Sequence, residues 1–164
     1  MFKKQEKMYK HSLANFLTII TVACFLFSCD KNTVYSEYQH IRNKTWNKQD
    51  EYFFSFIIKD NTVAYNISLL LRNNDMYPYQ NIWLFHDELQ PSETSVKDTV
   101  EFSLADDFGK WKGKGFSLFQ NQITIKNNYL FTDTGKYTIG IRHGMRNDEL
   151  KGIEDIGLLI EKSQ

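Results

Sequence analysis

Cysteine is nearly absent from this chain of 164 residues: Cys24 and Cys29 are its only two, and residues 30–164 carry none. That long stretch must fold without disulfides and cannot build a cysteine-ligated metal site. An excess of one charge is lacking as well, because 20 Lys and Arg balance 20 Asp and Glu, so nothing suggests nucleic acid as a partner. The apolar stretch at 13–27 is too short to span a bilayer comfortably. Catalytic patterns are missing too. Beyond the first 28 residues the histidines are His40, His86 and His143, with no HExxH spacing, and no serine sits in a GxSxG elbow. His86 and His143 fall near predicted strand ends, within range of carboxylates such as Asp87 or Asp106, and a lone histidine there is more often a surface or packed residue than a catalyst. No enzyme activity and no catalytic residue are expected.

What is present begins at the N-terminus. Lys3, Lys4, Lys7 and Lys10 form a positive region ahead of the apolar stretch, the order of an export signal. The stretch ends in Leu26-Phe27-Ser28-Cys29, which resembles the lipobox of bacterial lipoproteins: an aliphatic residue three before the cysteine and a small one directly before it. The small Ser28 lets a peptidase close around the bond, and the Cys29 thiol accepts a diacylglyceryl group as a thioether. Cys29 is therefore the expected lipidation site and first residue of the mature protein, with its covalent acyl and diacylglycerol lipid the only non-protein group expected. The plainer alternative, an ordinary cysteine near a simple signal peptide or membrane anchor, does not explain why all three features fall in order. Four lysines and one glutamate leave with the signal, so the 20 basic and 20 acidic residues become 16 and 19. The mature chain is slightly acidic and of a length suited to one domain.

Along that mature chain, apolar residues recur with period two far more often than with a helical period. Tyr65, Ile67, Leu69 and Leu71 alternate with Ala64, Asn66 and Ser68, Leu70 being the exception. Tyr137, Ile139 and Ile141, and Val100, Phe102 and Leu104, repeat the pattern. Further strands are predicted at 51–59, 80–86, 115–120, 122–125 and 156–161, separated by turn residues at Asp60-Asn61, Asn73-Asn74-Asp75, Asn127-Asn128 and Asp133-Thr134-Gly135. Short helical hints occur only at 104–108 and 146–150. The expected fold is all-β: a single β-sandwich of about eight short strands, jelly-roll-like or immunoglobulin-like. The expected organisation is a signal peptide at 1–28, a lipidated cysteine and polar tether at 29–45, and the sandwich at 46–164, with 34–41 a candidate edge strand.

Three stretches stand out. Tyr77-Pro78-Tyr79-Gln80-Asn81-Ile82-Trp83 is an aromatic turn entering a strand, its proline fixing one dihedral and removing a donor. Asp106-Asp107-Phe108-Gly109-Lys110-Trp111-Lys112-Gly113-Lys114-Gly115 is a charged, glycine-rich loop around one tryptophan. Gly135-Lys136-Tyr137 leads through Met145 to Ile153 and on to Ile156-Gly157-Leu158. With the lipobox, Trp46 and Asp60, this ordered set resembles the gliding-motility lipoproteins of GldH type from Bacteroidetes, over about 46–160. The resemblance implies a non-enzymatic envelope lipoprotein required for gliding. Its implied partners are the membrane, through the lipid, and other proteins of the gliding and type IX secretion machinery. Asp30-Lys31-Asn32 does not match the acidic surface-export signal of Bacteroidetes lipoproteins, which points to the periplasmic face of the outer membrane.

Other features compete with this reading. Aromatic residues make up 15% of the chain; most must fill the core, as alternation predicts for Phe54 and Phe56. Tyr77, Tyr79, Trp83 and Trp111 are candidates for a protein-docking patch or a sugar-stacking platform, and the latter makes a carbohydrate-binding envelope module the alternative function. Asp106-Asp107 and Asp87-Glu88 raise a calcium reading, but the D-x-D-x-D-G loop is missing and three lysines stand nearby, so no metal is assigned. Lys110, Lys112 and Lys114 would share one face of a strand, more as guards of an exposed edge than as a headgroup site. Asp98-Thr99-Val100 resembles the short O-glycosylation acceptor of these bacteria, which makes Thr99 a candidate sugar site.

Overall fold

The computed structural model describes residues 32–163. Ten strands run in chain order: β1 (Thr33–His40), β2 (Thr45–Asn47), β3 (Tyr52–Ile58), β4 (Tyr65–Asn74), β5 (Asn81–Leu89), β6 (Ser95–Ser103), β7 (Leu118–Tyr129), β8 (Gly135–His143), β9 (Glu149–Lys151) and β10 (Ile153–Lys162). Two four-stranded sheets, β1-β10-β4-β7 and β3-β8-β5-β6, face each other, and β2 with β9 forms a small ribbon. Every pairing is antiparallel. The first long strand pairs with the last, and every link between long strands except β5–β6 crosses between the sheets. That connectivity is a jelly roll of eight strands, which decides between the two topologies the sequence left open.

The period-two pattern explains the core. Ile67, Leu69 and Leu71 of β4 stand opposite Ile160, Leu158 and Ile156 of β10, and all six are fully buried. Phe54, Phe56 and Ile58 of β3 and Tyr137, Ile139 and Ile141 of β8 fill the facing sheet. Phe131 is the hub of an aromatic cluster, its ring 4.6 Å from Tyr137, 5.0 Å from Tyr129 and 5.3 Å from Tyr65. Leu70, the exception to alternation, is buried on the outer face of its sheet. Gly157 makes this work: a Cβ there would lie 2.9 Å from Tyr38 Cδ1 and 3.2 Å from Leu70 Cβ, so its absence lets the Tyr38 ring lie across the strand. The Arg72 guanidinium sits 3.9 Å over that ring, a cation–π contact.

Several local expectations change. Neither helical hint is a helix. Asp106 Oδ1 accepts the Phe108 and Lys110 N–H groups at 3.0 and 2.9 Å, which holds a turn in place of a helix. Leu150 pairs with Trp46 in the ribbon. The strands predicted at 115–120 and 122–125 are one strand, β7, which begins only at Leu118, with 115–117 in the loop ahead of it. Asn127-Asn128 is an irregularity within β7 and not a turn; Asn128 takes φ 51° while its N–H donates to Asn66 Oδ1 at 3.0 Å. Asn73 and Asn74 end β4 inside the strand, leaving the turn to Asp75. The candidate edge strand at 34–41 is β1, hydrogen-bonded along β10, so the sheet takes in much of the segment read as a tether.

Candidate functional site

The first two stretches singled out in the sequence and the Met145 to Ile153 part of the third meet at one end of the sandwich, the end opposite the start of β1; the Gly135-Lys136-Tyr137 part of the third lies at the other end. Tyr77 is buried there, its hydroxyl donating to the Asn81 carbonyl at 2.8 Å. Tyr79 packs edge-on against it, ring centres 5.7 Å apart. Trp111 is half-buried 6.4 Å from Tyr77 and stacks on Phe119 at 5.6 Å. Gly152, with φ 82°, passes so close beneath that an added Cβ would meet the Tyr77 nitrogen at 2.3 Å.

The Trp111 loop is tied down along its length. Ala105 bridges Trp111 and Lys114 bridges Gln120, the indole N–H donates to Asp75 Oδ1 at 3.0 Å, and Lys112 Nζ donates to Ser103 Oγ at 2.9 Å. Lys110, Lys112 and Lys114 thus belong to a pinned loop and not to one face of a strand. Phe108 and Phe116 project from it almost fully into solvent, 96% and 95% exposed.

Trp83 stands apart from the other rings: among the described residues, no ring contact joins it to Tyr77, Tyr79 or Trp111. It lies on the outer face of β5, a strand interior to its sheet, and is 40% exposed. Its backbone N–H donates to Met145 Sδ at 3.3 Å and its carbonyl accepts from Gly144 N–H at 2.7 Å. With Lys48, Asn81 and Arg146 these residues line an open hollow of about 610 Å³. Indole, thioether, ammonium and guanidinium suit the docking of an apolar, acidic surface; none of them is placed as a nucleophile with a base beside it.

Thr99 sits exposed on β6, opposite Phe85, its N–H donating to Asp98 Oδ1 at 2.7 Å. Cys29 lies outside the described residues. Of the histidines, His40 is at the surface, Nδ1 3.0 Å from Asp155 Oδ1. His86 and His143 are core residues. His86 faces inward, opposite Asp98 of β6 and not toward Asp87, which points to the other side of the sheet. His143 lies edge-on to Trp46, ring centres 5.5 Å apart. Burial pushes both imidazoles below the usual histidine range.

Two polar features escaped sequence reasoning. Glu88, fully buried on β5, pairs with Lys126 of β7 at 2.6 Å across the sandwich. At the loop-bearing end, Glu154 Oε1 accepts from Asn74 Nδ2 at 2.8 Å and Lys44 Nζ at 2.9 Å. The Asn74 bond and then the Lys44 bond hold the Glu154 carboxyl below its usual range. Only the Asn73-Asn74-Asp75 cluster hinted at the second feature; nothing in the local pattern signals the first.

The chain matches the family model described as GldH lipoprotein over residues 33–160, which is nearly the whole sandwich. It is 35% identical over 156 residues to the gliding motility lipoprotein GldH homolog of Christiangramia forsetii, covering 90% of this chain and 94% of that one. With gliding motility lipoprotein GldH of Flavobacterium johnsoniae it shares 32% identity over 152 residues, covering 88% and 94%. Among solved structures, the VP2 subviral particle of infectious bursal disease virus aligns with 82% of this chain and 33% of its own, at 16% identity and a TM-score of 0.34. A family match across the folded unit, with two relatives above 30% identity along almost their full lengths, leads to one conclusion: this chain belongs to the GldH family of gliding-motility lipoproteins.

Proposed function

We propose that this lipoprotein is a non-enzymatic component or assembly factor of the gliding and type IX secretion machinery. It is acylated on Cys29 and held on the periplasmic face of the outer membrane. The observation that carries this reading is the family match across nearly the whole jelly roll, with a lipobox just ahead of it. The packing agrees: His86, His143 and the Glu88–Lys126 pair are used inside the core, and the exposed Trp83 hollow has the chemistry of a protein-docking patch. The carbohydrate alternative needs Tyr77, Tyr79, Trp83 and Trp111 in one platform. Tyr77 is in the core and Trp83 is separate from the rest, so protein docking is favoured.

Deletion of the gene in the organism that carries it is the test. Loss of colony spreading and of type IX secretion is expected; normal spreading and secretion would remove the proposal. Thr99 is the proposed O-glycan acceptor, exposed on its strand, and Thr99→Ala should then remove any mass increment on the mature domain beyond its acyl chains.

A further inference from the structure

We infer that the end of the jelly roll where β1 begins rests in the headgroup layer of the membrane, through a collar of exposed aliphatic side chains. The inference depends on acylation of Cys29 as proposed above. Four residues further along the chain is Thr33, the first of β1. Fully extended, that separation spans at most about 14 Å, and Thr33 is fixed in register opposite Glu161 of β10. A lipidated Cys29 therefore holds this particular end of the sandwich at the bilayer.

The surface chemistry of that end fits a lipid contact. Val34 is the second residue of β1, Ile57 the next to last of β3, Leu89 the last of β5, Val96 the second of β6, and Leu130 directly follows β7. All five are exposed, Ile57 and Leu130 by 60% and 57%. They share one end because the β3–β4 and β7–β8 connections both turn there, joined by Asn61 Nδ2 donating to the Thr132 carbonyl at 3.0 Å. The β5–β6 turn reaches the same place, since a Cβ on Gly135 would meet Pro91 at 3.1 Å. Large exposed side chains toward the other end are of a different kind: Phe53, Met76, Trp83, Phe108 and Phe116. Aliphatic residues ringing the tethered end are placed to sink into the interfacial layer. Lys59, Lys136 and Lys162 are more than offset by Asp60, Glu93, Asp133 and Glu161 there, so apolar burial and not anionic lipid drives the contact. β7, whose twelve residues run alongside ten of β4, then carries the Trp111 loop about 30 Å away from the bilayer.

The test uses the full acylated protein reconstituted into vesicles of phosphatidylcholine and phosphatidylethanolamine. Once Cys24 has left with the signal and Cys29 is a thioether, one introduced cysteine is the sole thiol. Ile57→Cys, Leu130→Cys, Phe108→Cys and Phe116→Cys all replace exposed side chains and are each labelled with an environment-sensitive fluorophore. Positions 57 and 130 should show blue-shifted emission, quenched several-fold by a spin-labelled lipid and unchanged in high salt. Positions 108 and 116 should report water. Aqueous spectra at 57 and 130 on a protein that floats with the vesicles would overturn the orientation. Shielding at those positions without lipid quenching, rising with protein concentration, would assign the collar to a second copy and overturn it equally. The mass of the N-terminal peptide checks acylation separately, so failure of the lipid anchor is recognised as such.

Discussion

Lys126 Nζ lies 2.6 Å from Glu88 Oε2 between the two sheets, and a β-bulge puts it there. Thr124 stands opposite Ser68 while Lys126 stands opposite the core residue Ile67, so Ile125 is the extra residue that turns Lys126 inward. Lys126 also rests 3.9 Å over the Tyr129 ring. Removing one partner of a buried ion pair leaves the other charge uncompensated. Lys126→Met should lower stability in urea unfolding by about 3 kcal/mol. The double variant with Glu88→Leu should recover most of that loss, and a single-variant cost below about 1 kcal/mol would place Glu88 in contact with water.

Stability should fall in two stages on acidification. His86 and His143 are held below the usual histidine range by burial, whereas in the unfolded chain both titrate near about 6.5. Below that pH the unfolded state binds more protons than the folded one. Stability is therefore lost as pH drops from about 6.5, by up to about 1.4 kcal/mol per histidine per pH unit. Asp60, hydrogen-bonded by Thr62, and Glu154, hydrogen-bonded by Asn74 and Lys44, have lowered carboxyl values. Their contribution is present above about pH 4 and lost below it. Melting temperatures from pH 8 to 3 should show both stages, and His143→Phe should flatten the first. A constant melting temperature between pH 7 and 5 would contradict this.

Two glycines with nearly the same φ should differ sharply. Gly109 (80°) has open space around its missing Cβ, while Gly152 (82°) faces the Tyr77 nitrogen at 2.3 Å. Gly109→Ala should cost about 1 kcal/mol, the ordinary penalty of left-handed backbone. Gly152→Ala adds a clash with backbone and should cost at least about 3 kcal/mol. Equal losses in chemical denaturation would mean the Tyr77 turn yields easily.

The exposed and the pinned tryptophan should separate docking from stability. Trp111→Ala forfeits the stack on Phe119 and the bond to Asp75, about 2 kcal/mol. Trp83→Ala should change the melting temperature little and yet reduce colony spreading. Full spreading with the Trp83 variant would take the hollow out of the docking proposal.

Much of the fold was legible because one-sided burial imposes period two. Tyr65 to Leu71 and Tyr137 to Ile141 read as strands and are strands. The failures share a cause: a side chain or bulge overrode the local pattern. Asp106 captured backbone N–H groups and turned an apparent helix start into a loop. Buried Asn121 donates to Asn73 Oδ1 at 2.9 Å, so a polar break in the sequence lies inside a continuous strand. Tyr77 stood among the docking candidates because it opens an aromatic turn, but its hydroxyl finds the Asn81 carbonyl and the ring enters the core. The Glu88–Lys126 pair needs two strands and a bulge, information that no single stretch contains.

Anchoring and motility are joined most directly by one complementation measurement. A strain deleted for the gene is given either the wild-type chain or Cys29→Ser, and the rate of colony spreading is compared at matched protein levels. The wild type should restore spreading and the serine variant should not, while its domain stays folded. Equal spreading by the two would contradict the account of a gliding component that works from a lipid anchor at Cys29.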